Sequence, residues 1–406
     1  MRKKLNHWLW AAAVGVLSMM MAVQAVHAHE APYRSGGKVE LGASVAADSR
    51  GRLWMVSKQE QGDGKSLLVL RRSDDTGKSW TQPMPVTGEA AGARGEERPK
   101  IAAGLNDELY IVYTRAAPNP KLPHEGDVRL VRSLDGGKSF SAPVSVHTNN
   151  DAIVHAFGSI IVDPNGHVYA VWLDSRNRET ARANKQPHRG ISLYYAVSTD
   201  AGKTFSGDYR LADHSCECCR LGLALDAQQR PVVMWRHIFE PNVRDHAIAQ
   251  LSVNGMAREI ERASFDDWRI DACPHQGPSI AYAADGTRHQ AWFTVKGDDA
   301  GIFYAAADKK GELGVPVRLG TNQAKQAEVA VRGAAVAVVW KQYDGESTAL
   351  MARISADNGR TWTQKEVART ANDSDRPQLL HSASGLLAAW HIAGEGMRII
   401  SVVPVR

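Results

Sequence analysis

The feature that most constrains this chain is a short alternating segment that ends in an aromatic residue and recurs along the sequence. Six copies end in this way, at Tyr113, Trp172, Trp235, Trp292, Trp340 and Trp390. An earlier copy, GRLWMVSK, has Ser57 in the place of the aromatic residue. Successive copies are 48 to 63 residues apart. Because apolar and polar residues alternate with a period of two between turn residues, each copy is predicted to be a β-strand.

Each repeat predicts four strands. A short strand precedes the aromatic strand, a DG, NG or similar turn joins the two, and two further strands follow. Four strands at this spacing indicate a blade of a β-propeller, because a single copy cannot bury both of its faces. We therefore predict an all-β propeller with seven four-stranded blades, or six if a terminal copy is partial. The last copy has only three strands, and residues 38–41 are predicted to supply its outer strand.

A second motif supports the propeller. Four segments fit the pattern S-x-D-x-G-x-[ST]-[FW], and they begin at Ser73, Ser133, Ser198 and Ser355. This pattern resembles the Asp-box (BNR) repeat of the sialidase-like propellers, and the resemblance extends over essentially all of residues 29–406. The Asp and Ser side chains can bond turn backbone groups, and the Gly can adopt a positive φ. We interpret the motif as structural, on the rim opposite the ligand face of such propellers.

The first 28 residues are predicted to be a secretory signal. Arg2, Lys3 and Lys4 precede an apolar stretch at 8–23, and Val26-His27-Ala28 fits cleavage after Ala28. Cleavage after Ala25 and an uncleaved anchor are the alternatives. The mature chain, residues 29–406, is then a single periplasmic or secreted domain, and no other stretch of the sequence is apolar enough to cross a bilayer.

The charge argues against one class of partner. The formal net charge is +5, and it falls to +2 without the three basic residues of the signal. Such a small excess does not favour nucleic acid or an anionic membrane surface. A small ligand, a metal ion or a glycan at the propeller face is the expected partner.

The cysteines mark one candidate site. All four precede the first strands of two neighbouring blades, and two histidines accompany them: Cys216, Cys218, Cys219, Cys273, His214 and His275. An even number of cysteines in an exported protein favours disulfides. Thiolate and imidazole groups are also the ligands of Cu(I) and Zn. The sequence is compatible with two disulfides and also with a metal or redox thiol site.

The resemblance to sialidases implies a second candidate site. Those enzymes hold a substrate carboxylate with three arginines, and planar guanidinium groups suit that task. Arg98, Arg220 and Arg376 each precede a first strand, and Asp174 is a further catalytic candidate. The F/Y-R-I-P signature of the family is absent, which leaves catalysis open. Our leading hypothesis is an exported binding propeller whose Cys/His site takes a soft metal such as copper. The alternative is an exo-sialidase-like glycoside hydrolase acting on acidic sugars.

Overall fold

The computed structural model describes residues 41–60, 66–92, 97–117, 120–121, 124–256, 259–272, 274–297 and 299–404. Within these ranges the chain forms 28 strands and one helix, α1 (Arg176–Ala183). All strand pairs within the sheets are antiparallel, and the sheets follow one another in chain order. No helix in the described ranges has the length and apolar character needed to span a membrane.

The first four sheets comprise the following strands. Blade 1 contains β1 (Ser44–Ala47), β2 (Leu53–Glu60), β3 (Ser66–Ser73) and β4 (Met84–Pro85). Blade 2 contains β5 (Ala91–Gly92), β6 (Lys100–Ala103), β7 (Leu109–Ala116), β8 (Gly126–Ser133) and β9 (Val144–Ser145). Blade 3 contains β10 (His155–Val162), β11 (Val168–Asp174), β12 (Ile191–Ser198) and β13 (Ser206–Ser215). Blade 4 contains β14 (Gly222–Leu225), β15 (Pro231–Arg236), β16 (His246–Gln250) and β17 (Glu261–Arg262).

Three more sheets complete the series. Blade 5 contains β18 (Ser279–Tyr282), β19 (Arg288–Lys296), β20 (Asp299–Ala307) and β21 (Val317–Leu319). Blade 6 contains β22 (Ala324–Arg332), β23 (Ala335–Tyr343), β24 (Thr348–Ser355) and β25 (Thr363–Thr370). Blade 7 contains β26 (Gln378–Ser382), β27 (Gly385–Ile392) and β28 (Gly396–Pro404). The predicted all-β propeller with seven blades is confirmed, and the six-blade alternative is not.

In blade 2, β5 and β6 both pair with β7 and together count as its first strand, so β7, β8 and β9 are its second, third and fourth. The repeated aromatic strand is the second strand of its blade and carries the core. Its aromatic side chains are at most 2% exposed at Tyr113, Trp172, Trp235, Trp292, Trp340 and Trp390. In β11 all seven residues are buried. A second strand is covered on both faces because neighbouring blades pack against it from either side.

Blade 7 packs directly against blade 1. The Val45 amide donates to Gln378 Oε1 at 2.9 Å, and the Gly42 and Ala43 amides donate to the Asp375 carboxylate. Within the described residues blade 7 has three strands. Residues 38–40 of its predicted fourth strand lie outside the described residues, and Leu41 is in no strand.

In each blade, the loop before the first strand and the loop between the second and third strands lie at the same end of the sheet, because neighbouring strands are antiparallel. These ends together form one face of the propeller. The turn between the first and second strands and the Asp-box turn between the third and fourth lie on the opposite face. We call the former the upper face, and α1 follows β11 on it.

Candidate functional site

A group of three sulfur atoms lies on the upper face, between β13 of blade 3 and β14 of blade 4. Cys216 Sγ is 3.5 Å from Cys219 Sγ and 4.0 Å from Cys218 Sγ. The three residues are 1–2% exposed, and we call them the thiol cluster. Their sulfur atoms are close enough together for one metal ion to contact all three. The structure thus brings three of the four predicted cysteines to one point, while Cys273 lies outside the described residues.

The oxidation states within the thiol cluster differ. Cys216 and Cys219 are free thiols, whereas Cys218 is disulfide-bonded. A disulfide sulfur is not a thiolate, and the thiolate is the form that ligates metals. In this state Cys216 and Cys219 are therefore the two thiols that the cluster offers.

Two arginines set the charge around Cys216. Arg244 Nη1 donates to Cys216 Sγ at 3.8 Å, and the Cys216 amide donates to the Arg236 carbonyl at 2.9 Å. The Cys219 thiol, acting as a hydrogen-bond donor, and the charges of Arg236 and Arg244 hold the pKa of Cys216 below its usual range despite burial. Burial and the neighbouring Cys216 sulfur raise the pKa of Cys219. The pair therefore favours one thiolate next to one thiol.

His214 and His275, both predicted beside the cysteines, do not join the three sulfur atoms in the described structure. His275 is exposed. The His214 ring lies 4.8 Å from the His188 ring, and its Nδ1 lies 3.1 Å from the Arg189 carbonyl. A third imidazole is close by, because Ser215 and His237 form a β-bridge. We call His188, His214 and His237 the histidine cluster.

Burial controls the protonation of the histidine cluster. Desolvation and the neighbouring His214 lower the pKa of His237 to about 4. The same two causes lower the pKa of His188, and the nearby Asp213 carboxylate and Gly190 backbone oppose them only in part. Both rings are consequently neutral at pH 7, which is the form of imidazole that binds metal ions.

The three predicted arginines lie close to the propeller axis. Arg98 of blade 2 donates through Nη1 to the Arg376 carbonyl of blade 7 at 3.1 Å. Arg220 of blade 4 donates through Nη2 to the Ala327 carbonyl of blade 6 at 2.7 Å. Each of these bonds joins two blades that are not neighbours, and only residues near the axis are close enough to form such a bond. Arg376 Nη1 donates to Glu328 Oε2 at 2.6 Å. All three side chains are buried and take part in blade-to-blade contacts.

Asp174, the fourth predicted catalytic residue, is fully buried at the end of β11. Its carboxylate accepts hydrogen bonds from Trp172 Nε1 at 2.9 Å and from Arg176 Nη2 at 2.6 Å. The Arg176 guanidinium also stacks on Tyr194, with 4.4 Å between its carbon and the ring centroid. These contacts hold the start of α1 in place. The Asp174 carboxylate is therefore already paired with neighbouring side chains.

A second group that could hold a metal contains Asp127, His147 and His155. The Val128 amide donates to His147 Nε2 at 3.1 Å, and His147 Nδ1 donates to the Asn149 carbonyl at 2.7 Å. Both ring nitrogens of His147 are therefore in use. Burial and the stacked His155 ring lower the pKa of His147 to about 4. The contacts of His147 favour a structural role for this pair of rings.

A buried carboxylate orients a further histidine on the upper face. Glu97 Oε2 lies 2.8 Å from His124 Nδ1, and Glu97 Oε1 accepts hydrogen bonds from the Thr114 hydroxyl and the Phe157 amide. Glu97 is 6% exposed, whereas the His124 side chain is 23% exposed. An imidazole fixed by a carboxylate through one nitrogen can act as an acid or base through the other.

The opposite face carries the Asp boxes. In the first, Ser73 Oγ donates to Asp75 Oδ1 at 2.8 Å, and the Gly77 amide donates to Ser73 Oγ at 2.8 Å. The Ser79 amide and hydroxyl close the turn on the Asp75 carboxylate. The same bonds recur in the boxes of Asp135, Asp200 and Asp357.

The chain is an Asp-box β-propeller. Its four boxes join third to fourth strands, as the sequence predicts, and their side chains bond within the turn. No protein-family model matches the chain, and no curated protein matches it in sequence.

Solved structures share the fold of this Asp-box β-propeller. The polysaccharide lyase Uly1 aligns with a TM-score of 0.56 over 90% of each chain at 7% identity. An ulvan lyase of polysaccharide lyase family PL25 aligns with a TM-score of 0.53 over 89% of this chain and 94% of the lyase at 14% identity. A protein of unknown function from Dyadobacter fermentans DSM 18053 aligns with a TM-score of 0.53 over 78% of this chain and 94% of its own, at 14% identity. At such identities the likeness shows the fold alone.

Two features of the propeller site were not predicted from the sequence. Arg236 is 1% exposed, and it donates to the Phe293 carbonyl at 2.6 Å and the Arg244 carbonyl at 2.8 Å. Its position at the end of an otherwise apolar strand was the available signal, because buried arginines are rare. The approach of the His188 ring to the His214 ring had no sequence signal, since it depends on the pairing of β12 with β13.

Proposed function

We propose that this propeller binds a soft metal ion, Cu(I) in the first place, at the thiol cluster. The observation that carries the proposal is the grouping of three buried sulfur atoms in one short loop, with Cys216 Sγ 3.5 Å from Cys219 Sγ and 4.0 Å from Cys218 Sγ. Sulfur ligands at about 2.3 Å from a tetrahedral Zn lie about 3.8 Å apart, so the sulfur atoms need little movement to share an ion. Soft thiolates select Cu(I) and Zn over hard cations.

The groups around the thiol cluster have two opposite effects on the binding of a cation. Cys216 tends to be ionised because Cys219 and two arginines lower its pKa, and an ionised thiol binds metal without first losing a proton. The Arg236 and Arg244 charges repel a cation, which favours the monovalent Cu(I) over a divalent ion. Cys218 contributes a third thiolate only after its disulfide is reduced. Cys273, the fourth predicted ligand, remains a prediction.

The test is an anaerobic Cu(I) titration of the reduced protein against a chromophoric Cu(I) chelator. We expect one Cu(I) per chain, and we expect Cys216→Ser and Cys219→Ser each to weaken binding by about tenfold or more. Met256→Leu is the matched control, because Met256 is a soft sulfur that is 62% exposed on the surface. Retention of Cu(I) by the Cys216→Ser/Cys219→Ser double variant would refute the proposal.

We also propose that the chain is exported and matures by cleavage after Ala28. The basic, apolar and small-residue segments of residues 1–28 support this assignment. Mass spectrometry of the protein recovered from its native host compartment is the test. A mature chain that starts at His29 is expected, and an intact Met1 in the cytoplasmic fraction would contradict export.

A second candidate function is action on a sugar polymer. Two of the solved neighbours are polysaccharide lyases, and the ulvan lyase is also described bound to a GlcA–Rha3S chain. The Glu97–His124 pair supports it, because a partly exposed imidazole held by a buried carboxylate suits proton transfer. The exo-sialidase form has less support, since Arg98, Arg220 and Arg376 already bond within the propeller.

Turnover assays separate these functions. A fluorogenic sialoside and a uronate-containing polysaccharide should be offered to the purified protein and to His124→Ala. Cleavage that disappears in His124→Ala would establish the sugar-acting function at this pair. Equal rates in the two proteins would place any activity elsewhere.

A further inference from the structure

The thiol cluster places a disulfide sulfur next to two free thiols. Cys218 is disulfide-bonded, and its Sγ lies 4.0 Å from Cys216 Sγ. Cys216 Sγ also lies 3.5 Å from Cys219 Sγ, and both of these residues are free thiols. A thiolate next to a disulfide sulfur is the arrangement from which thiol–disulfide exchange begins. Cys216 is therefore in contact with both a disulfide sulfur and a second thiol.

The spacing of Cys216 and Cys219 suits a disulfide between them. The two residues flank residues 217–218, which form a turn. The first and fourth residues of a β-turn have Cα atoms less than about 7 Å apart, and a disulfide joins residues whose Cα atoms are about 4.4–6.8 Å apart. The two sulfur atoms need to approach only from 3.5 Å to a bond length of about 2.05 Å. The C-x-x-C spacing is also that of redox-active cysteine pairs.

The surroundings of Cys216 suit it to be the attacking sulfur. Arg244 Nη1 donates to Cys216 Sγ at 3.8 Å, so a guanidinium charge stabilises a thiolate there. The Cys216 amide donates to the Arg236 carbonyl at 2.9 Å, which fixes its backbone to the end of β15. The thiolate is the attacking form of a cysteine in disulfide exchange. Cys216 therefore has the charge environment and the contacts of the nucleophile.

The burial of the thiol cluster favours an exchange that takes place within it. The three cysteines are 1–2% exposed, so a bulky oxidant or reductant has little access to their sulfur atoms. The same three sulfur atoms lie within 4.8 Å of one another. Exchange between a thiolate and a disulfide conserves the number of disulfides, so it needs no outside oxidant or reductant.

We propose that the thiol cluster is a disulfide-exchange site, at which the disulfide moves from Cys218 to the pair of Cys216 and Cys219. First, the Cys216 thiolate attacks Cys218 Sγ, and the sulfur formerly bonded to Cys218 leaves with the electron pair of the broken bond. That sulfur takes up the proton that Cys219 loses. The Cys219 thiolate then attacks Cys216 Sγ, and Cys218 leaves as a thiolate. One thiolate, one thiol and one disulfide are present before and after.

The exchange switches the copper site off, a consequence that rests on the proposed function. Before the exchange, Cys216 and Cys219 are the two thiols that the cluster offers to Cu(I). Afterwards both sulfur atoms belong to a disulfide, which does not provide thiolate ligands. Bound Cu(I) in turn keeps both residues as thiolates and opposes the exchange by mass action. The exchange itself requires no copper.

Peptide mapping of the metal-free, unreduced protein tests the exchange. The protein is denatured in acid, its free thiols are alkylated with N-ethylmaleimide, and trypsin then releases residues 211–220 as one peptide. Before the exchange, this peptide carries labels on Cys216 and Cys219 and is linked through Cys218. After the exchange, it is unlinked, carries one label on Cys218 and is two hydrogens lighter because of its internal disulfide. We expect both forms in the wild-type protein.

A trapping step makes a minor exchanged form visible. Incubation of the folded protein with iodoacetamide should accumulate that form, because an alkylated Cys218 cannot return to its disulfide. Cys216→Ser should abolish it, since this variant lacks the attacking sulfur. Glu217→Gln is the matched control, because Glu217 lies in the same turn with a side chain that is 48% exposed, and it should give the wild-type amount.

Three outcomes would overturn this proposal. They are the absence of the exchanged peptide from the trapped wild-type protein, an unchanged amount in Cys216→Ser, and an equal loss in Glu217→Gln. If Cys216→Ser does not fold, Cys219→Ser gives the same decision, because exchange should then stop at an unlabelled peptide with a Cys216–Cys218 disulfide. The Cu(I) titration uses fully reduced protein, which has no disulfide to exchange, so copper binding and exchange can succeed or fail independently.

Discussion

Asp375 accepts a hydrogen bond from the Gly42 amide at 2.8 Å, and this contact joins the last blade to the first. The Ala43 amide donates to the same carboxylate at 2.9 Å, and His391 Nδ1 lies 3.2 Å from it. The two ends of the described propeller are therefore held by one buried side chain near the axis, in addition to strand packing. The contact lies on the upper face, next to Arg98, whose charge acts on Asp375.

We expect Asp375→Asn to destabilise the propeller by about 2 kcal/mol at pH 7, because hydrogen bonds to a charged group contribute about 1.5–3 kcal/mol. Urea unfolding followed by tryptophan fluorescence measures the change. Asp373→Asn is the matched control, since Asp373 is exposed two residues away and its substitution should have little effect. Equal stability of the two variants would mean that strand packing alone closes the ring.

The same carboxylate predicts a dependence on pH. Burial alone would raise the pKa of Asp375, but His391, Arg98 and the Ala43 amide lower it below the usual value. A carboxyl with a lowered pKa in the folded state stabilises the fold above its unfolded pKa of about 3.9. That contribution disappears as the pH falls through the folded pKa. The stability difference between wild type and Asp375→Asn should therefore shrink below about pH 4.

Gly137, in the Asp box of blade 2, tests the structural role of that motif. Its φ is 76°, and a Cβ there would lie 2.6 Å from Trp54 Cζ3. We expect Gly137→Ala to destabilise the fold by about 1–3 kcal/mol through backbone strain and the clash with Trp54. Gly51→Ala is the control, because Gly51 has a φ of 80° and no atom within 4 Å of its Cβ position.

The comparison separates strain from packing. A larger loss in Gly137→Ala than in Gly51→Ala measures the clash with Trp54, and both variants should keep their Cu(I) affinity. Equal losses would show that φ alone accounts for the effect. Lost Cu(I) binding with an unchanged melting temperature would contradict the placement of the Asp box on the opposite face.

A further prediction concerns the pKa of the aspartate in an Asp box. Hydrogen bonds from the Ser79 hydroxyl and amide, and from Ser73, lower the pKa of Asp75 to about 2. We expect Ser79→Ala to raise this pKa toward the usual value, because the hydroxyl bond stabilises the ionised form. Carbon-13 NMR of the aspartate side chains measures it. Ser139→Ala, which alters only the box of Asp135, should leave Asp75 unchanged.

The fold was predictable because its signals are local and repeated. The strand that contains Trp340 is nine residues long, and each Asp box closes within eight residues by bonds such as Ser355 to Asp357. Local patterns of this kind depend only on residues that are close in sequence, so they can be recognised in a single amino-acid sequence. The bond between Asp375 and Gly42 spans 333 residues and leaves no such pattern.

The site was predictable only in part for the same reason. Cys216, Cys218 and Cys219 are close in sequence, so their grouping could be expected. His214 was also assigned to the cysteines because it is near them in sequence, yet its ring lies 4.8 Å from that of His188 and does not join the three sulfur atoms. His214 also has a φ of 59°, a backbone conformation that the sequence does not reveal.

Arg244 gives the last prediction, which concerns the ionisation of the thiol cluster. Its Nη1 lies 3.8 Å from Cys216 Sγ, and its positive charge favours the thiolate. We expect Arg244→Gln to raise the pKa of Cys216, because the neutral amide removes the charge and retains a hydrogen-bond donor. Ultraviolet absorbance of the thiolate as a function of pH, measured in the reduced and metal-free protein, reports this change.

The same variant should alter how Cu(I) binding depends on pH. A proton must leave Cys216 before the sulfur can bind, so a higher pKa makes binding weaken at a higher pH than in the wild type. Well above both pKa values, removal of a nearby positive charge should instead strengthen Cu(I) binding. Arg189→Gln is the matched control, because Arg189 is an exposed arginine paired with Glu240. If Arg244→Gln and Arg189→Gln give the same thiolate titration as the wild type, Arg244 does not set the charge state of Cys216.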